Sequence, residues 1–189
     1  MNGRYQNERA QSWAIKSAVH YLSRYASSAE NLRRTMIRRA GRKFEDITEK
    51  EAAELADWAV RFCSEQGFLN DSAYAETKTA AGVRKGFSKR KIAASLSAKG
   101  VNSEVLENAL AEVDDLKSAI VYAKRKRIGP FGGCDQKGWQ KQAAALARQG
   151  FQCDIAFKVA RMGLQEANSI LLQASVNDEV SDDFDRVLP

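Results

Sequence analysis

The chain has 189 residues, 44% of them hydrophobic, and 30 Lys and Arg against 24 Asp and Glu give a net charge of +6. That is enough apolar material for a real core in one or two ordinary domains, and the basic balance favours polyanionic surroundings without naming them. No apolar run approaches the ~18 residues of a membrane span, and the charged start MNGRYQNERAQSW lacks the apolar core of a secretory signal. Cys63, Cys134 and Cys153 are odd in number and far apart, which argues against a disulfide framework and for a reducing, cytoplasmic setting.

The prolines are Pro130 and Pro189, so little interrupts helix formation, and apolar residues recur at spacings of three and four. An all-α fold is expected. After an N-terminal segment (1–11), a first unit (12–66) opens with a helix carrying Ala14, Ala18, Leu22 and Tyr25. A second helix follows with Ser28, Leu32, Met36 and Ala40 at steps of four, and Ser27 with Glu30 reads as a capping box. The stretch GRKFEDIT then reads as a longer connection, before a T-x-x-E box at Thr48 and Glu51 starts a third helix bearing Leu55, Ala56, Ala59, Val60 and Cys63.

The joint GFLND, Gly67 to Asp71, leads into a second unit (67–113), whose first helix carries Tyr74, Ala75 and Lys78. Its middle helix, in KGFSKRKIAASLSAKGV, repeats the earlier order sixty residues on: Ser88, Ile92, Leu96, Gly100. The next helix shows Val105, Leu106, Ala109, Leu110 and Val113, fifty residues beyond its first copy; the shorter shift places about ten extra residues near GRKFEDIT. Past VDDL, a third unit (114–163) begins with Leu116, Ala119, Ile120 and Ala123 and crosses a glycine-rich loop, Gly129 to Gly133. It continues with Gln142, Leu146 and Gly150, a copy lacking one apolar site, and closes with Ile155, Ala156, Val159, Ala160 and Gly163. Residues 164–189 read as a C-terminal helix and an acidic tail sparse in apolar periodicity, expected to be mobile. Tandem three-helix repeats of about 50 residues need neighbours to complete their cores, which predicts a stacked, elongated array open to curvature.

Charge alternates with the helices. Residues 1–43 hold ten cations and two anions, 44–83 three and nine, 84–100 six and none, 101–116 none and five, and 117–150 eight and one. Stacking could collect the cations into a stripe formed by Arg33, Arg34, Arg38 and Arg39, then Arg84, Lys85, Lys89, Arg90 and Lys91, then Lys124, Arg125, Lys126 and Arg127. The plainer alternative is a set of solvated faces that pair neighbouring helices. Other chemistry has little support. His20 is the lone histidine, and a core or half-exposed place suits it better than a catalytic role. The cysteines lack C-x-x-C spacing and His neighbours for zinc, and the glycine loop lacks a phosphate-binding G-x-x-x-x-G-K-[ST]. Trp13, Trp58 and Trp139 read as packing residues rather than base-stacking platforms. No catalytic residue, metal or cofactor is expected.

YLSRYASSAENLRRTM at Tyr21–Met36, GFLNDSAYAE at Gly67–Glu76, VRKGFSKRKIAASLSAKGV at Val83–Val101 and RQGF at Arg148–Phe151 resemble, in order and spacing, the RecX regulatory proteins. The resemblance covers about Ala14 to Gly163. It implies a bacterial cytoplasmic regulator that binds the RecA recombinase filament; a monomer without enzymatic activity is expected, since no nucleophile, base and orienter set is present. Such a protein restrains recombination and the SOS response by acting on ATP hydrolysis, strand exchange and coprotease activity. DNA is implied as a further partner, through the filament or directly, and a basic helical DNA-binding protein acting without RecA is the alternative. The chain departs from the family pattern at Ala40, where a glycine usually ends the helix, in the loop IGPFGGCDQKG, and in the acidic tail.

Overall fold

The computed structural model describes residues 8–132 and 138–173, and every regular element among them is helical. These are α1 (Glu8–Leu22), α2 (Ala29–Lys43), α3 (Glu49–Glu65), α4 (Asp71–Arg84), α5 (Lys89–Ala98), α6 (Ser103–Leu110), α7 (Asp115–Lys126), a 3-10 turn (Gly129–Phe131), α8 (Trp139–Arg148) and α9 (Cys153–Arg161). A further helical run, α10, covers 164–173. The triplets α1–α3, α4–α6 and α7–α9 are the three repeats. The tail proposed after Ser175, and Cys134, lie outside the described residues.

The chain divides into two compact units, one of residues 1–78 with 95–109, the other of 79–94 with 110–189. In the first, Ala14 and Ala18 of α1, Leu32, Met36 and Ala40 of α2, and Ala52, Leu55, Ala56, Ala59 and Cys63 of α3 bury one core. Small residues let α1 and α3 approach closely; Trp13 closes the side, its ring edge-on to Phe44 at 5.0 Å. In the second unit, Ala119, Ile120 and Ala123 of α7 meet Ala143 and Leu146 of α8 and Ala156, Val159 and Ala160 of α9.

Several local expectations change. The N-cap of α2 is Ser28, and the Ser27–Glu30 box does not form. Ser27 Oγ instead accepts from Asn31 Nδ2 at 2.7 Å, while Glu30 pairs with Arg34. Helix α1 stops at Leu22, which leaves Tyr25 exposed rather than on its apolar face. The extra residues of the first repeat are mostly helix, not connection: α2 runs through Ala40 and Gly41 to Lys43, and α3 starts at Glu49. Gly41 lies in the last turn of α2, whereas Gly100 (φ +73°) ends its turn in the left-handed region. The Thr48–Glu51 capping box is present as expected. The missing apolar site of the third repeat has a use: Gln142 Oε1 accepts the Gly129 N–H at 2.6 Å and ties down the glycine loop.

One device occurs twice. The buried Ser28 hydroxyl accepts from Asn31 N–H at 3.3 Å, capping α2, and donates to the Lys99 carbonyl at the end of α5. Ser88 likewise accepts from Lys91 N–H at 3.2 Å, capping α5, and donates to the Gln149 carbonyl beyond α8 at 2.7 Å. A carboxylate completes each set, Asp71 accepting from Ala29 N–H at 2.8 Å and Asp115 from Lys89 N–H at 2.6 Å. The middle helices α2 and α5 are thereby locked at their starts to the first and middle helices of the following repeat. Glycine is needed at the contact: a Cβ on Gly100 would lie 2.3 Å from Glu30 Cγ, and one on Gly150 2.7 Å from Ser88 Oγ.

Candidate partner-binding surface

In the second unit the turn between α4 and α5 brings two cation clusters together. Gly86 adopts φ +69° and lies so close to α7 that a Cβ would fall 2.5 Å from Tyr122 N. That approach lets the Arg125 guanidinium donate to the Lys85 carbonyl, so Arg84 and Lys85 adjoin the basic end of α7. Arg84, Lys85, Lys89, Arg90, Lys91, Lys124, Arg125, Lys126 and Arg127 are all exposed. The ion pairs seen among the described residues involve none of them.

The placement of Lys89, Arg90 and Lys91 runs against local preference. They fill the first turn of α5, which has no acidic residue, although cations there oppose the helix dipole by about 0.3–1 kcal/mol each. Asp115 offsets part of this at the Lys89 N–H. The Lys91 ammonium is held by Gln149 Oε1 at 2.8 Å and over the Phe87 ring, 4.4 Å from its centroid. At the other edge Arg127 caps α7 at φ 53°, a left-handed conformation costing a non-glycine residue about 1 kcal/mol or more. Charge is kept where helix stability alone would remove it.

The first cluster is disposed differently. Arg33 pairs with Asp57, whose hydrogen bond outweighs desolvation and raises the guanidinium above its usual range. Arg34 bonds Glu30 Oε1 at 2.8 Å and the Ala98 carbonyl at 3.0 Å. Arg39 bonds the Ser17 carbonyl at 2.8 Å and covers the Tyr21 ring, and Arg38 reaches Thr35 Oγ1 at 3.4 Å. Arg33 and Arg39 hold α2 to its neighbours, Arg34 is shared between Glu30 and the Ala98 carbonyl, and Arg34 and Arg38 remain exposed. Sequence charge alone could not separate the two clusters; the signal was the nearby acids Glu30 and Asp57, against their absence from 84–100.

His20 is exposed. Burial pushes the Cys63 thiol up, which makes it a poor nucleophile at neutral pH. Trp58 stacks on Phe62, while Trp139 lies under the Arg161 guanidinium at 5.6 Å. Among the described residues no three His, Cys, Asp or Glu side chains gather as metal ligands, and no helix is long and apolar enough to cross a membrane.

Residues 70–110, helices α4 to α6, match the family description "RecX, second three-helix domain". Across 165 residues the chain is 38% identical to the regulatory protein RecX of Agrobacterium fabrum, covering 86% of this chain and 90% of that one. It is 38% identical to that of Myxococcus xanthus over 152 residues, 76% of this chain and 81% of the relative. This extended similarity shows that the chain belongs to the RecX regulatory protein family.

Proposed function

We propose that this protein is a non-enzymatic cytoplasmic regulator that binds the RecA recombinase filament as a monomer and mainly inhibits its ATP hydrolysis, strand exchange and coprotease activity. The observation carrying the reading is the exposed basic surface formed where Arg84–Lys91 meets Lys124–Arg127 within one folded unit. A filament on DNA offers phosphates and acidic protein groups, and nine cations with no paired carboxylate among the described residues supply attraction and rapid encounter. Repeats of 12–66, 67–113 and 114–163 engaging successive protomers would raise the effective concentration of each later contact, so weak sites add to useful affinity. Arg34 and Arg38 are the exposed cations that the first repeat would bring to such contacts.

The test is a titration of the purified chain into RecA filaments on single-stranded DNA, following ATP hydrolysis and strand exchange. The quadruple variant R84E/K85E/R90E/K91E is expected to lose most of its inhibition while keeping its helicity. Unchanged inhibition by that folded variant rejects the surface. The same cationic surface supports a second reading, direct DNA binding without recombinase. Binding of the chain to bare DNA as tightly as to filaments, with no effect on RecA turnover, would select it.

A further inference from the structure

The doubled serine lock makes the two units comparable residue by residue, and they differ beside it. Ser28 and Ser88, like Asp71 and Asp115, hold the same places in the two locks. Three residues before the serine stands Tyr25 in one unit and Lys85 in the other, and three before the aspartate stand Phe68 and Glu112. Lys85 and Glu112 are exposed charges. Tyr25 and Phe68 are aromatic, yet 58% and 53% exposed. In the second unit Gly86 lies so close to the Tyr122 backbone that no Cβ fits between them. Ala26 and Lys78 take those two places in the first unit, where a groove of about 350 Å3 stands open, with Leu22, Ala26, Phe68, Ala73 and Tyr74 among its walls. Of the described residues that line it, Lys78 alone is charged, its ammonium 5.5 Å from the centre of the Tyr74 ring. Exposed aromatics and an open apolar groove, where the sister unit has charges and a tight contact, mark a surface that a partner covers.

We propose that this groove takes an apolar, carboxylate-bearing segment of a protein partner, and that on the filament it meets recombinase protein rather than DNA. The identity of the partner rests on the function proposed above. A groove that follows nucleic acid lines the phosphate path with a row of cations, and this one has Lys78 alone. Its walls are instead of the kind that anchors an apolar side chain at a protein interface, where a pocket free of water makes one such contact count. Charge selects the rest of the segment. The exposed acids of the flanking helices, Glu65 of α3 and Glu76 of α4, do not line the groove, and the Asp71 carboxylate is engaged by the Ala29 N–H. The ammonium of Lys78, set against an aromatic face, is therefore matched by a carboxylate beside the inserted side chain. The two units then divide the work: the cations of the second speed encounter and weaken with salt, while the groove of the first supplies a contact that salt does not screen.

Binding of the full chain to RecA filaments on single-stranded DNA, and to bare single-stranded DNA, is measured at low and high salt for the unaltered chain, F68S and A73Q. Phe68 is no member of the buried core of its unit and Ala73 is an exposed helical position, so both variants should keep the circular dichroism of the unaltered chain. The first removes a wall of the groove and the second fills it with an uncharged side chain. Each is expected to weaken filament binding about tenfold, the worth of burying part of one large apolar side chain. The factor should be the same at both salt concentrations, with binding to bare DNA unchanged. Filament affinity equal to that of the unaltered chain overturns the proposal. A parallel loss on bare DNA overturns it too, since the groove would then hold bases, and so does a dimer in sedimentation that F68S dissolves, since a second copy would then be the occupant. An unaltered chain that binds no filament at all refutes the proposed function first, and with it the partner assigned to the groove.

Discussion

Replacing Ser88 by alanine is expected to loosen the second unit by about 2 kcal/mol, the sum of two losses. Its hydroxyl is fully buried and serves both Lys91 N–H and the Gln149 carbonyl. Removing a serine N-cap costs about 1 kcal/mol, and a partly buried carbonyl left short of its donor adds about 1 kcal/mol more. Gly150 gives an internal control. At φ +94°, with a Cβ due 2.7 Å from Ser88 Oγ, Gly150→Ala brings about 1–2 kcal/mol of backbone strain and a steric conflict with that hydroxyl. Since S88A removes the conflicting atom, the double variant should fall short of additivity by about 1 kcal/mol. Hydrogen exchange of the α5 and α8 amides in the full chain reads this opening element by element. Native-like protection in S88A, or strict additivity in the pair, would refute the lock as a source of stability.

Gly86→Ala should be more severe, above about 3 kcal/mol, because positive φ combines with a clash against the Tyr122 backbone that no rotamer relieves; thermal unfolding and filament binding should fail together. Gly41→Ala, with open space around its Cβ and a helical backbone, should raise stability by up to about 1 kcal/mol in the same assay. Asp57→Ala should change stability by no more than about 1 kcal/mol, since its pair with Arg33 is solvated, the side chains being 34% and 47% exposed. Cys63 and Tyr74 have pKa values raised first by burial, for Tyr74 also by Tyr21 and Asp71. Between the unfolded and folded values the native state keeps a proton that the unfolded chain has lost. Stability should therefore fall as pH rises from about 8.5, the free thiol value, and urea titrations of C63A should show a shallower decline.

The helices were legible because their information is local. Ala56, Ala59, Ala156 and Val159 recur at helical spacing, and Thr48 with Glu51 marks a start that depends on nothing distant. Ser28 and Ser88 are visible as the matching first members of a four-residue ladder, but their bonds to Lys99 and Gln149 span more than sixty residues and leave no local trace. The extra residues of the first repeat were visible as a change of shift, yet spacing says only how many residues are inserted. That most of them lengthen α2 and α3 is seen in the helix ends at Lys43 and Glu49, while Phe44 and Ile47 of the connection pack on the core. The cation clusters were visible as charge. Which cations stay available depends on partners such as Asp57 and Ser17, which are set by packing rather than sequence distance.

The lock also limits how the basic surface can recognise anything. A helix start normally offers free N–H groups to an anion, and α5, with three cations in its first turn, is well placed to do so. Several of its N–H groups are already engaged: Lys89 donates to Asp115, Lys91 to the Ser88 hydroxyl and Ile92 to the Ser88 carbonyl. Anions must therefore be met by long side chains on exposed stems, with Lys91 partly held by Gln149 and Phe87. Recognition of that kind follows charge density more than shape, and the logarithm of its affinity falls linearly with the logarithm of salt concentration, with a slope set by the number of phosphates neutralised. Asp115→Asn separates the two roles of the carboxylate. It leaves an oxygen to accept the Lys89 N–H while adding one positive charge to the surface, so binding should tighten at low salt, by about twofold to fivefold for ~0.4–1 kcal/mol of attraction, and the gain should vanish at high salt. A gain that survives high salt would mean the helix start itself takes part in binding.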